Sequence, residues 1–348
     1  MIAKQSLLTC LRWKKLLLPI RGFTVLLFSL LLLGCQSSEE KSKKDNEVKS
    51  EASDQKPESP YPAIDVGKGP DALFVTPVRN YLYVANVGDT LISVVDTKQD
   101  KVTETITGIR KPWGFSRLGT SNMVAVSGYG KQVAFIDFST HKIVKSKTFE
   151  SNLGGITSSS DGMFIYVVSI TDQNILQLNR DLEIVNRFDT GKGPDGVGIS
   201  KDDRTLYVTN TQDGTISIID KETKESSVIK KGGKPELIHS NSDNSLLFIS
   251  NFFMNEGYVL DTGSSSIIHT LTNLNGPEDI IMSHSGEKIY VVNFNSSKVY
   301  IFDASDYSKL EREYTVGAKP IGFTQVSEEK AYVSNYGDNT VSVISLTN

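Results

Sequence analysis

A tetrapeptide that returns at near-constant spacing constrains this chain more than any other feature. Tyr83-Val84-Ala85-Asn86 is followed by Val124-Ala125-Val126-Ser127, Tyr166-Val167-Val168-Ser169 and Tyr207-Val208-Thr209-Asn210. Phe248-Ile249-Ser250-Asn251, Tyr290-Val291-Val292-Asn293 and Tyr332-Val333-Ser334-Asn335 complete the series. Successive starts lie 41, 42, 41, 41, 42 and 42 residues apart. A steady period of about 40–45 residues is that of a four-stranded propeller blade. Seven copies predict an all-β fold, a seven-bladed β-propeller of four-stranded antiparallel blades. Function is less constrained, because propellers host many unrelated activities.

A second marker keeps phase with the first. Pro70, Pro112, Pro194, Pro235, Pro277 and Pro320 open six repeats, and Leu153 takes that place in the third. Residues 193–200 of the fourth repeat read as an inner strand rich in small residues, 205–210 as the second strand, 215–220 as the third and 226–229 as the outer one. Asp213-Gly214 between the second and third is a strong hairpin signal. The seventh repeat runs out of chain before its outer strand. A spare strand at 62–67 stands before Gly69-Pro70 as 187–191 stands before Gly193-Pro194. The N-terminal strand is therefore expected to join the last blade and close the ring, removing edges that invite aggregation.

The N-terminus is of a different kind. Residues 1–21 carry Lys4, Arg12, Lys14, Lys15 and Arg21 without an acidic residue, and 23–33 are apolar apart from Thr24 and Ser29. That is a secretory signal pattern, and the apolar run is shorter than the roughly 20 residues a spanning helix needs. It ends in Leu32-Leu33-Gly34-Cys35, which resembles the lipobox of bacterial lipoproteins. The resemblance implies a signal peptide at 1–34 and acylation of Cys35, placing the protein outside the cytoplasm in a bacterial cell envelope. Residues 36–60 are rich in Lys, Glu, Asp and Ser and too poor in apolar side chains to bury a core, so 35–60 are expected to form a disordered tether. The propeller is assigned to 61–348.

The repeats resemble the YVTN β-propeller family, whose namesake Tyr-Val-Thr-Asn stands at 207–210. The resemblance covers residues 61–348 and implies the propeller fold. The family includes surface-layer proteins and periplasmic or lipid-anchored propellers. Ser127 and Ser169 stand where the family motif has Asn.

The search for chemistry returns little of catalytic type. Both cysteines, Cys10 and Cys35, precede the repeats, so the propeller has no disulfide, thiolate or Cys-based metal site. No phosphate-binding loop, nucleophile elbow or His metal spacing appears, and neither cofactor nor metal is expected. The asparagines ending the second strands are read as turn-binding side chains, and Asp96, Asp137, Asp220, Asp261 and Asp303 as turn residues. His141 and His284 fall in turns and His269 in an outer strand. His239 lies on an inner strand and could face the channel, with Glu236 and Glu278 as accompanying candidates for catalysis.

The positional signal is stronger. Loops before the inner strands and after the second strands should share one face. The first residues after the second strands are taken as Val87, Gly128, Ile170, Thr211, Phe252, Phe294 and Tyr336, with Phe253 and Met254 extending one aromatic group and Trp113 with Tyr129 forming another. Asp71, Asp195, Glu236 and Glu278 lie beside the inner-strand starts, next to Lys68, Lys111, Lys192, Lys234 and Lys319. Aromatics with mixed charge around a depression suit a protein, glycan or small organic ligand; packing under their own loops is the competing account of the aromatics.

The leading expectation is a monomeric, lipid-anchored binding or scaffold head with a membrane partner through Cys35 and an envelope protein or glycan partner. A lactonase-like propeller hydrolase is the alternative. Single-stranded nucleic-acid binding through Arg110, Lys111, Trp113 and Tyr129 is a third, opposed by a net charge of -4.

Overall fold

A computed structural model describes residues 61–78 and 80–347. The expected signal peptide, Cys35 and tether lie outside the described residues. Seven four-stranded antiparallel sheets are arranged as successive blades. In blade four the strands are Pro194–Ile199, Thr205–Asn210, Thr215–Asp220 and Ser226–Lys230, within a residue or two of the sequence reading. Blade seven takes its three C-terminal strands, Pro320–Ser327, Lys330–Asn335 and Thr340–Ser345, and its fourth from Ala63–Asp65 at the start of the propeller. Ile64 lies opposite Val341, and the Val343 amide donates to the Pro62 carbonyl at 2.9 Å. Ring closure by the N-terminal strand is therefore as expected.

Each letter of the repeated tetrapeptide has its own task. The leading Tyr is buried between blades, and its hydroxyl reaches the hairpin joining the third and outer strands of the next blade. Tyr83 meets His141 Nδ1 at 2.6 Å, Tyr207 meets the Ser265 hydroxyl at 2.8 Å, and Tyr332 bonds Asp100 across the closure. The following apolar residues feed seven apolar clusters, each of which joins two neighbouring blades. The final Asn is fully buried in blades one, four, five, six and seven. Asn210, Asn251 and Asn293 accept from the amides of Gly191, Lys234 and Asn275, in the segment that leads into their own blade's inner strand. Their role is structural, as expected, but they grip that incoming loop as well as the adjacent hairpin.

Blade two corrects the sequence frame. Pro112 pairs with Gly128, as Pro70 pairs with Asn86 and Pro194 with Asn210. The structural equivalent of the tetrapeptide is thus Ala125-Val126-Ser127-Gly128, one residue later than expected. Gly128, not Ser127, stands in the Asn place. The first loop residue of blade two is then Tyr129, whose amide donates to the Lys111 carbonyl at 2.9 Å as Phe252 donates to Lys234 and Tyr336 to Lys319. An aromatic therefore occupies this place in blades two, five, six and seven.

The third-strand aspartates behave as turn residues, as expected. Asp96 accepts from the amides of Lys98 and Gln99, Asp220 from Glu222 and Thr223, and Asp261 from Ser264. His141 and His284 sit in turns, and His269 lies on the outer strand Ser266–Leu271.

Candidate functional site

Every inner strand begins with the same irregularity. Immediately after Pro70, Pro112, Leu153, Pro194, Pro235, Pro277 and Pro320 the pairing register slips by one residue. One extra residue in an otherwise paired strand is a β-bulge, which kinks the strand and re-aims a side chain. Here the kink recurs in all seven blades, at the end where the second strands finish, because each opening residue pairs with the last or near-last residue of its neighbour. Inner-strand starts and second-strand loops therefore share one face, as expected.

The residue after each opening position forms a ring at this mouth: Asp71, Trp113, Gly154, Asp195, Glu236, Glu278 and Ile321. The next residue is small in most blades, for a steric reason. A Cβ on Gly155 would lie 2.7 Å from the Asp195 carbonyl oxygen, and one on Gly322 would lie 2.7 Å from that of Asp71. The neighbouring bulge occupies the space a side chain would need. Blade five departs with Leu237 and blade six with Asp279, whose Oδ2 accepts from the Phe323 amide of blade seven at 3.0 Å.

Behind the mouth lies a cavity of about 100 Å³ lined by residues from all seven blades, among them Asp71, Trp113, His239, Asp279 and Phe323. His239 Nε2 lies 2.9 Å from Asp279 Oδ1. Burial pushes the imidazole pKa down, but the Asp279 charge and hydrogen bond outweigh it and hold the pKa above the ordinary value. His239 thus faces the channel, as anticipated, with Asp279 as its partner.

The mouth concentrates negative groups. Burial, with the charges of Asp195, Asp279 and Glu236 added, pushes Asp71 up to about 8. Burial and Glu236 push Asp195 up to about 7, against an opposing pull from Lys234. Glu278 is raised well above the carboxylate range by burial and then by Glu236. Glu236 is also raised by burial, although Lys234 Nζ is ion-paired with its Oε1. Its Oε2 is buried without a hydrogen bond. Among the described residues no set of three His, Cys, Asp or Glu side chains is placed to hold a metal ion.

The aromatic candidates divide into two groups. The Trp113 ring packs against Tyr129 with centroids 5.5 Å apart, and Lys111 Nζ lies 5.7 Å from the Tyr129 centroid. Trp113 itself lines the cavity. Phe252 packs edge-on against Phe294 of the next blade at 5.7 Å and against Phe253 at 5.6 Å, with Lys234 over both rings of blade five. Phe252 and Phe294 are half-buried, whereas Phe253 is 69% exposed and Tyr336 41%. None of these four lines the cavity. Asp279 is the site residue that sequence reasoning missed. Its signal was available, since it puts a carboxylate at a position that is glycine or apolar in the other six blades, Ala72, Gly114, Gly155, Gly196, Leu237 and Gly322.

The model of YNCE-like β-propellers matches residues 59–330. The chain belongs to the YNCE-like β-propeller family. Among solved structures, this YNCE-like propeller is similar to hydrazine synthase of Kuenenia stuttgartiensis, with TM-score 0.70 and 19% identity over 80% of this chain and 95% of that one. It is also similar to the β-propeller domain of Myceliophteria thermophila Cps50 (Swd1), with TM-score 0.71 and 14% identity over 82% of this chain and 98% of that one. At such identities the likeness is one of fold. No curated protein sequence matches this YNCE-like chain.

Proposed function

We propose that this YNCE-like propeller is a binding head that receives its ligand at the acidic mouth of the channel. The observation that carries this reading is the convergence of Asp71, Trp113, His239 and Asp279, from four different blades, on one cavity. A rigid ring places these groups without a conformational step, and rigid placement lowers the entropic cost of binding. The cations of residues 4–21, the apolar run 23–33 and the lipobox-like Leu32-Leu33-Gly34-Cys35 support attachment to a cell-envelope membrane through acylated Cys35, with 36–60 as a spacer. Metabolic labelling with an alkyne fatty acid tests the anchor: Cys35→Ser abolishes the label and releases the head from the membrane fraction.

Ligand-observed NMR with a chemically mixed fragment set tests the binding site. Fragments that contact the wild-type chain lose contact with Ala72→Phe, which fills the cavity from blade one. Equal contact with both proteins places the ligand elsewhere and ends this reading. Partner capture from envelope extract extends the test to the rim. Loss of capture with Phe253→Ala and Tyr336→Ala assigns the exposed aromatics to the binding face.

One observation favours hydrolysis as a second reading, the His239–Asp279 pair inside a cavity, since a carboxylate-oriented imidazole is the usual general base. Lactone hydrolysis by the chain, lost in His239→Ala, would establish it. Nucleic-acid binding is opposed by the carboxylates that ring the mouth.

A further inference from the structure

Resting on the reading of the mouth as a binding site, we propose that its ligand presents an organic cation, an ammonium or guanidinium group on a slender aliphatic chain, to Asp71 and Trp113.

Size selects first. A water-sized occupant needs about 10–15 Å³ of such volume, so a cavity of about 100 Å³ holds roughly seven to ten heavy atoms. A cationic group on a short alkyl chain fits, whereas a hexose ring fills or exceeds the space. Charge selects next. Asp71, Asp195, Glu236, Glu278 and Asp279 face the mouth or cavity, and the cations that act on them are Lys234 and His239, while Lys111 and Lys319 on the same face lie over Tyr129 and Phe294. Lys234 is committed to Glu236, and His239 to Asp279. Asp71 is left over. It lines the cavity and is 9% exposed, and the charges that act on it are those of Asp195, Asp279 and Glu236, all carboxylates. A carboxyl buried among other carboxyls keeps its proton because the bare charge is costly there, and a cation makes its ionisation favourable. Shape selects last. Trp113 lines the same cavity and is backed by Tyr129. An indole lining the same cavity as a carboxyl offers a cation its quadrupole and an alkyl chain an apolar wall.

The protonation of the ring gives the proposal a second signature. With Asp71 at about 8 and Asp195 at about 7, the first is mostly and the second about half protonated at neutral pH. Glu278 is raised further by its neighbours, while Lys234 opposes the rise at Asp195 and Glu278. An arriving cation favours the ionised carboxylates, so binding releases protons. Affinity therefore climbs as pH rises through 7 and 8 and levels above that range.

The test uses the full chain in detergent with n-butylamine, 1,5-diaminopentane, and lysine and arginine capped at both backbone ends. 1-Pentanol and pentanoate serve as neutral and anionic controls. The amines or the guanidinium are expected to bind, with affinity increasing between about pH 6 and about pH 9, and the controls are not. Asp71→Asn weakens binding by about tenfold or more, the worth of a charge-assisted hydrogen bond. Tight binding of the capped amino acids identifies a peptide-borne side chain, and binding of the diamine alone identifies a free polyamine. Binding of pentanoate or pentanol as tightly as the amines overturns the proposal, as does failure of every cation to bind wild type above pH 8. Wild-type titration needs no variant, so an unstable Asp71→Asn leaves the test intact. If cations fail while other fragments are still displaced by Ala72→Phe, the ligand class falls and the binding-head reading stands. If no fragment is displaced, the site itself falls.

Discussion

Thr209 of blade four donates its hydroxyl hydrogen to the carbonyl oxygen of Glu236 in blade five, while its oxygen accepts the Gly196 amide hydrogen at 2.8 Å. Ser334 repeats the arrangement across the closure, accepting from Gly322 at 2.8 Å and donating to the Asp71 carbonyl at 2.6 Å. The third letter of the tetrapeptide thus pins two bulges at once, its own and the next. The residues so held, Glu236 and Asp71, are two of the acidic residues of the mouth. Thr209→Val keeps the shape and removes both bonds, leaving a buried amide and a buried carbonyl unpaired. The expected cost is about 1–3 kcal/mol, read from the midpoint of urea unfolding, with Thr209→Ser retaining most of the stability.

The closure depends on three residues of the N-terminal strand. Ile64 is 7% exposed and packs with Leu82, Val84, Tyr332 and Val341 between blades seven and one. Ile64→Asp places an unpaired carboxylate there and frees the strand Thr340–Ser345 along one edge. An unpaired edge recruits other chains, so the variant is expected to form oligomers on size-exclusion chromatography with light scattering. Ile64→Val stays at the oligomeric state of wild type and loses only about 0.5–1.5 kcal/mol. A variant Ile64→Asp that elutes and melts like wild type would show that the ring closes without this strand.

Most of the architecture is legible in the chain because it is repeated. A sevenfold echo averages out local ambiguity, and the phase of residues 62–67 relative to Gly69-Pro70 reveals the closure. Blade two shows where the echo fails. Ala, Val and Ser fit both frames of 124–128, so apolar pattern alone places the motif one residue early. The spacing from Pro112 would have settled it, since Pro70 to Asn86 and Pro194 to Asn210 are both 16 residues, and Pro112 plus 16 is Gly128. The bulges left no comparable mark, because nothing in Pro70-Asp71 or Pro194-Asp195 distinguishes a slipped ladder from a regular one. That is why the carboxylates could be placed near the mouth but not recognised as a coupled ring. Asp279 was passed over because its pairing with His239 joins two blades about 40 residues apart in sequence.

The ring should make the fold sensitive to alkali. The folded-state pKa of Asp71, about 8, lies above the unfolded value near 3.8. The native state therefore holds a proton that the unfolded chain gives up, and its stabilising contribution is complete below about pH 4 and lost as pH rises through about 8. Asp195, at about 7, acts in the same sense over a narrower window. Asp71→Asn keeps the shape and removes the titration. The variant is expected to gain on wild type as pH rises, reaching about 1 kcal/mol or more above pH 8, since one pKa unit corresponds to about 1.4 kcal/mol. Denaturant unfolding across the pH series measures the difference, and parallel curves for the two proteins would exclude Asp71 as its source.

His239 titrates in the opposite chemical sense, with its proton adding charge instead of removing it. Its folded pKa is raised by Asp279 above the ordinary 6.5, so the pair stabilises the fold fully below that value and loses its effect as pH rises through the folded pKa. Asp279→Asn removes the charge while leaving an oxygen able to accept from the Phe323 amide. The attraction that raises the imidazole pKa is then lost, and the pKa is expected to fall from its wild-type value. The chain has four histidines, and a His239→Gln spectrum assigns the resonance, so proton–carbon NMR titration of the imidazole follows the shift directly. The stability gap between wild type and Asp279→Asn should be widest below about pH 6 and narrow at higher pH. A His239 pKa unchanged by the substitution would mean that the contact at 2.9 Å carries no charge coupling.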